Sequence, residues 1–134
     1  MNRQSKLPTL GAICCLAVVA SQYAVAQQPV TTFDGVYDST STADPQNAIQ
    51  CGAAGGAFAI NVKNGQFPGP DRNMVTVGPD GTAESNGKLL MGGTLNLPYK
   101  SVYRFSATSV DSDLTVTRLS SGVCIYHRHG TKRH

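Results

Sequence analysis

All three histidines of the chain fall within residues 127–134, in the stretch Tyr126-His127-Arg128-His129-Gly130-Thr131-Lys132-Arg133-His134. If a strand runs through this stretch, His127 and His129 stand two apart and share a face, which is how a strand offers two imidazoles to one Zn or Cu ion. Such a site wants a third ligand, and only His134 or a distant carboxylate is available. The reading is therefore that no metal or other cofactor is required and that residues 128–134 form a basic, solvated tail. Arg128, Lys132 and Arg133 then become candidate contacts for anionic material, bound weakly because a few screened cations supply little attraction.

Other spacings carry less chemistry. Ser85-Asn86-Gly87-Lys88 has the S-x-x-K spacing in which a lysine acts as base to a serine. That arrangement needs adjacent turns of a helix, and Asn86-Gly87 predicts a β-turn instead. Asp111 with Asp113, Asp34 with Asp38, and Glu84 offer carboxylates for acid–base work on a glycoside. Each of these Asp residues falls at an expected turn or strand end, where a carboxylate ordinarily accepts backbone N–H groups. Asp71, Asp80, Asp111 and Asp113 lack the spacing of a calcium loop. G-x-S-x-G and H-E-x-x-H are absent, so the chain is not expected to be an enzyme of the nucleophilic or zinc-hydrolase kind. Phe67, between Gln66 and Pro68, and Tyr99, beside Lys100, sit in expected loops, where aromatic residues held by a rigid scaffold contact partners.

These groups must be positioned by a small scaffold. The chain has 134 residues, 14% charged and 7% aromatic, with 14 Gly and no Trp. That composition excludes a coiled coil and a strongly charged disordered tail. Residues 1–26 read as a cleaved signal peptide: basic Arg3 and Lys6, the apolar run Leu10 to Ala20, then Ala24-Val25-Ala26. The apolar run is too short to span a bilayer, and no later segment approaches that length. Cys14 and Cys15 lie inside the run rather than at its end, which argues against a lipoprotein. Removing Arg3 and Lys6 takes the formal charge from +3 to about +1, and with export this argues against a nucleic-acid partner. It also leaves Cys51 and Cys124, with no Cys-x-x-Cys, and two cysteines in an exported chain are expected to form one structural disulfide.

After a flexible lead over residues 27–32, short alternating runs separated by turn residues predict an all-β domain over 33–127. Phe58, Ile60 and Val62 share a face and run into Asn64-Gly65, a type I′ turn pair. Met74 to Val77 runs into Gly78-Pro79-Asp80-Gly81. Lys88 to Leu97 is expected as a strand with a Gly92-Gly93 bulge, ended by Pro98. Ser101 to Ala107 follows, with Tyr103 and Phe105 on its inner face. Asp111-Ser112-Asp113 is expected as a turn, and Leu114 to Leu119 pairs with Val123 to His127 across Ser120-Ser121-Gly122. Asp44-Pro45 caps one short helical turn through Ile49. The expected fold is a small antiparallel barrel or sandwich of about seven or eight strands with one disulfide, its interior filled by side chains.

The order Phe33-Asp34-Gly35-Val36-Tyr37, Val62-Lys63-Asn64-Gly65, Val77-Gly78-Pro79-Asp80-Gly81 and Ser121-Gly122-Val123-Cys124 resembles short exported β-rich proteins of Gram-negative bacteria. The resemblance implies a fold and a compartment, periplasmic or secreted, and no activity. The expected function is a non-enzymatic binding or envelope-associated β-domain, with an anionic envelope polymer or an exported protein as partner. The alternative is a small proteinaceous inhibitor of a hydrolase that inserts the loop Gly65 to Asp71.

Overall fold

The structure, a computed structural model, describes residues 28, 30–46, 51, 56–91, 95–118 and 122–134. The expected signal peptide, most of the helical turn, the Gly92-Gly93 bulge and the Ser120-Ser121 turn lie outside them. The strands are β1 (Gly35–Ala43), β2 (Phe58–Val62), β3 (Gln66–Pro68), β4 (Met74–Thr76), β5 (Thr82–Met91), β6 (Leu95–Phe105), β7 (Ser109–Arg118) and β8 (Gly122–Lys132). Six of them form one antiparallel sheet in the order β2-β1-β8-β7-β6-β5, and β3 pairs with β4 in a separate hairpin. The sheet curves into a half-barrel and the chain is all-β, as the alternation predicts.

The two outer strands of the sheet, β2 and β5, do not pair with each other. Instead β3 lies against β2 and β4 against β5, so the hairpin bridges the two edges. Asn64 and Gly65 form the expected tight turn with φ of 53° and 69°. Lys63 and Gln66 exchange both backbone hydrogen bonds across it at 2.8 and 3.1 Å. The Asp34 carboxylate accepts the N–H groups of both turn residues at 2.8 Å, which fixes the turn against the start of β1. Gly78-Pro79-Asp80-Gly81 is likewise a turn, with Gly81 N–H donating to the Gly78 carbonyl at 3.0 Å.

The hairpin carries Phe67 into the concave side. Its ring lies 4.8 Å from that of Tyr103 and 5.4 Å from that of Phe105, both edge-on. Tyr37, Ile60, Val62, Val75, Val77 and Val110 complete this core. Phe67 is only 1% exposed, so it is no loop contact. A strand of three residues alternates outward, inward, outward, and its middle position is a core position. Tyr99 is also corrected. It lies inside β6 at 5% exposure, in a second apolar cluster with Leu97, Leu114 and Val116.

Four more expectations change for local reasons. Pro98 does not end a strand: it lies one residue outside the β6–β7 ladder and faces only Lys88 of β5, where its missing N–H costs no pairing on the β7 side. Asn86-Gly87 is no turn. A Cβ at Gly87 would stand 2.5 Å from the Asp71 carboxylate and 3.2 Å from the Tyr99 ring, so the glycine admits these groups within a continuous strand. Asp111-Ser112-Asp113 lies in the middle of β7, each residue paired with β6 and with β8. Finally, residues 128–132 are not a tail: β8 runs to Lys132 with β1 on one side and β7 on the other, so the domain extends past residue 127.

Cys51 and Cys124 are joined, with Cα atoms 5.7 Å apart. The Tyr126 hydroxyl donates to the Cys51 carbonyl at 3.0 Å, so the segment before β2 is tied twice to β8. The disulfide is compatible with an oxidising extracellular compartment. Cys51→Ala with Cys124→Ala is expected to lower unfolding free energy by about 2–5 kcal/mol through the freed unfolded chain; an unchanged urea midpoint would contradict this. Phe67→Ala is expected to cost about 3–5 kcal/mol, whereas an exposed contact residue would shift the same midpoint very little.

Candidate functional site

The register places two different chemistries on the two faces of the same strands. On the convex face, Thr40, His129, Asp111 and Arg104 form one cross-strand row, and Thr42, His127, Asp113 and Val102 form the next. His127 and His129 do share a face. Each is met by a carboxylate: His127 Nδ1 is 2.7 Å from Asp113 Oδ1 and its Nε2 is 3.2 Å from Asp44 Oδ2, while His129 Nδ1 is 2.6 Å from Asp111 Oδ1. Arg104 donates to the other Asp113 oxygen at 3.2 Å. Among the described residues no three His, Cys, Asp or Glu side chains converge as a metal site.

Hydrogen bonding to Asp113, then to Asp44, raises the His127 pKa above its ordinary 6.5. The same contact with His127 is the largest cause holding the Asp113 carboxyl below its ordinary 3.8. For Asp44 the larger cause of lowering is the Gln46 N–H, followed by His127.

Three further basic residues are engaged within the chain. Arg133 donates to both oxygens of Asp38 at 2.6 and 3.1 Å. Lys132 Nζ lies 5.8 Å over the Tyr37 ring. Lys100 lies 3.4 Å from Glu84, an exposed pair of little energetic consequence.

The concave face differs. Ser41, Arg128, Ser112, Tyr103 and Ala83 form a cross-strand row there, because Arg128 sits between two outward histidines and must point the other way. Beside it lies a cleft of about 300 Å³ lined by Phe58, Ile60, Phe67, Leu89 and Tyr103, with Pro68-Gly69-Pro70 as one lip and Arg128 in its wall. Leu89 is half-buried, so the cleft opens where the hairpin stops covering the sheet.

The Arg128 guanidinium stands 5.0 Å over the Phe58 ring, a favourable cation–π geometry. Burial pulls its pKa down, although a guanidinium stays protonated in proteins. Burial also raises the pKa of the Tyr103 phenol, which keeps it neutral. Ser112 Oγ, Ser101 Oγ and Arg128 Nε are buried and meet no hydrogen-bond partner among the described residues.

No Asp or Glu side chain answers Arg128. The eight acidic side chains are all described. Asp34 accepts the Asn64 and Gly65 N–H groups, Asp71 is held by Asn73, and Asp80 by Thr82. Asp38, Asp44, Glu84, Asp111 and Asp113 have the cationic or histidine partners given above. Sequence reasoning took Arg128 for a tail residue. The signal that would have found its direction is the alternation of Tyr126, Arg128 and Gly130 with His127 and His129.

No protein-family model matches the chain, and no curated protein or solved structure matches it at a significant level. The site therefore stands on its own geometry.

The His127–Asp113 contact gives a pH dependence with a definite sign. The raised imidazole contributes fully below the ordinary 6.5 and loses its contribution as pH rises through the folded value. The lowered carboxyl contributes above the ordinary 3.8 and loses its contribution as pH falls through its own folded value. The pair thus stabilises between the two folded pKa values. Asp113→Asn is expected to bring the His127 titration, followed by NMR, back towards 6.5; an unmoved titration would contradict the coupling.

Proposed function

We propose that the chain is an exported, non-enzymatic binding domain, periplasmic or secreted, whose ligand sits in the concave cleft. The observation that carries this reading is the incomplete closure of the half-barrel. Aromatic and aliphatic side chains line a cleft of about 300 Å³, at the small end of the range of ligand sites.

The polar groups there support binding rather than turnover. A permanently charged guanidinium and a phenol of raised pKa orient a ligand, and neither exchanges a proton readily near neutral pH. Export is supported by the signal-like order of residues 1–26 and by the disulfide. The turn chemistry shared with short exported Gram-negative proteins agrees with that compartment. Contact with the envelope through the basic end has less support, because Arg133 and Lys132 are held by Asp38 and Tyr37. The inhibitor reading loses the residue it relied on, since Phe67 is buried.

Leu89→Trp enlarges a side chain in the cleft wall and is expected to weaken the binding of a solvatochromic apolar dye by about tenfold or more. The fold, followed by far-ultraviolet circular dichroism, is expected to be retained. Equal dye binding by the two proteins, or none by either, would count against the cleft as the site.

A further inference from the structure

We infer that the ligand of the cleft is an apolar organic monocarboxylate, its carboxylate on Arg128 and its body against Leu89, Pro68 and Pro70. This rests on the cleft being a binding site and adds the chemical class. The argument starts from charge. Arg128 is half-buried with its Nε out of water; a guanidinium partly withdrawn from water without a counter-ion costs folding free energy, and every side-chain carboxylate of the chain is occupied elsewhere. The segments outside the described residues cannot supply one either: residues 1–27, 29, 47–50, 52–55, 92–94 and 119–121 contain no Asp or Glu. No Asp or Glu of the chain supplies an anion to Arg128, and a ligand in the cleft can.

Geometry narrows the class. The Phe58 ring fixes one face of the guanidinium, which leaves its planar edge of N–H donors for a bidentate acceptor such as a carboxylate. Ser112 stands opposite Arg128 in the register, but it does not line the cleft. One guanidinium balances one negative charge. Arg128 is the one cation among the described residues that line the cleft, so a dianionic phosphate would bring in a second charge that no lining residue answers. Apart from Arg128 and Asn61 the lining side chains are mainly aliphatic or aromatic, so a small hydrophilic acid would leave that wall unused, whereas an alkyl or aryl body gains by covering its accessible part.

The test is isothermal titration of the purified exported protein with octanoate, octanol, acetate and inorganic phosphate. Octanoate is expected to bind about 10- to 100-fold more tightly than octanol, the range for hydrogen bonds to a charged group. Acetate and phosphate are expected to bind more weakly than octanoate. Arg128→Met is expected to abolish the preference for octanoate over octanol with Tm equal or higher, because it removes an uncompensated charge while keeping the stem volume. Arg128→Lys, which keeps the charge and loses the fork, is expected to retain only part of the preference, and it serves as the test should the Met protein not fold. If octanoate and octanol bind alike and the Arg128 variants change nothing, the carboxylate assignment is overturned while the cleft remains a binding site. Acetate or phosphate binding as tightly as octanoate would overturn the apolar half of the assignment. Binding of none of the four would overturn the assignment and the cleft reading together.

Discussion

The insertion of Phe67 into the concave side of the sheet is the contact on which the rest of the molecule depends. Six strands in the order β2-β1-β8-β7-β6-β5 leave two edges that do not meet. Tyr103 and Phe105 would otherwise face water from the middle of the curve. A three-residue strand carrying one aromatic ring covers them: Phe67 meets both Tyr103 and Phe105, and Phe105 in turn meets Tyr37. Burial of such rings supplies both area and directional contact energy. Because the hairpin is short, it covers only one end of the concave side, and the cleft is the part it does not reach.

Much of this was legible in local chemistry. Asn64-Gly65 demands positive φ, and the structure has it at both residues. Tyr103 and Phe105, separated by Arg104, could share only one face of a strand, and they are core residues. The two cysteines outside the expected signal peptide could most simply pair with each other, and they do. These inferences succeed because each depends on backbone geometry or on covalent chemistry within reach of the sequence.

The misreadings share a different cause. Asn86-Gly87, Pro98 and Asp111-Ser112-Asp113 each carry the composition of a turn, yet each lies within a strand. At Gly87 the deciding fact is the approach of Asp71 and Tyr99, groups distant in sequence. At Asp111 and Asp113 it is the presence of His129 and His127 across the ladder, which gives each carboxylate a cross-strand partner and offsets the poor strand propensity of Asp. Tertiary pairing overrode local preference at each position, and pairing order is what alternation cannot reveal.

The same pairing explains why Arg128 points inward despite the cost. In β8 the register is held from both sides, and a slip of one residue would exchange the faces of every side chain. Such a slip would bury His127 and His129, break their contacts with Asp113 and Asp111, and move Cys124 away from the direction of Cys51. The convex histidine–carboxylate pairs and the disulfide therefore act on the concave side: they hold Arg128 where no acid of the chain reaches it. Packing alone does not account for an arginine there. Its stem covers apolar surface as a methionine would, but a methionine would carry no desolvation penalty. The charged head, set between Ser41 and Ser112 in the register and over Phe58, is what the row has in excess of packing, and an external anion is what that excess would satisfy.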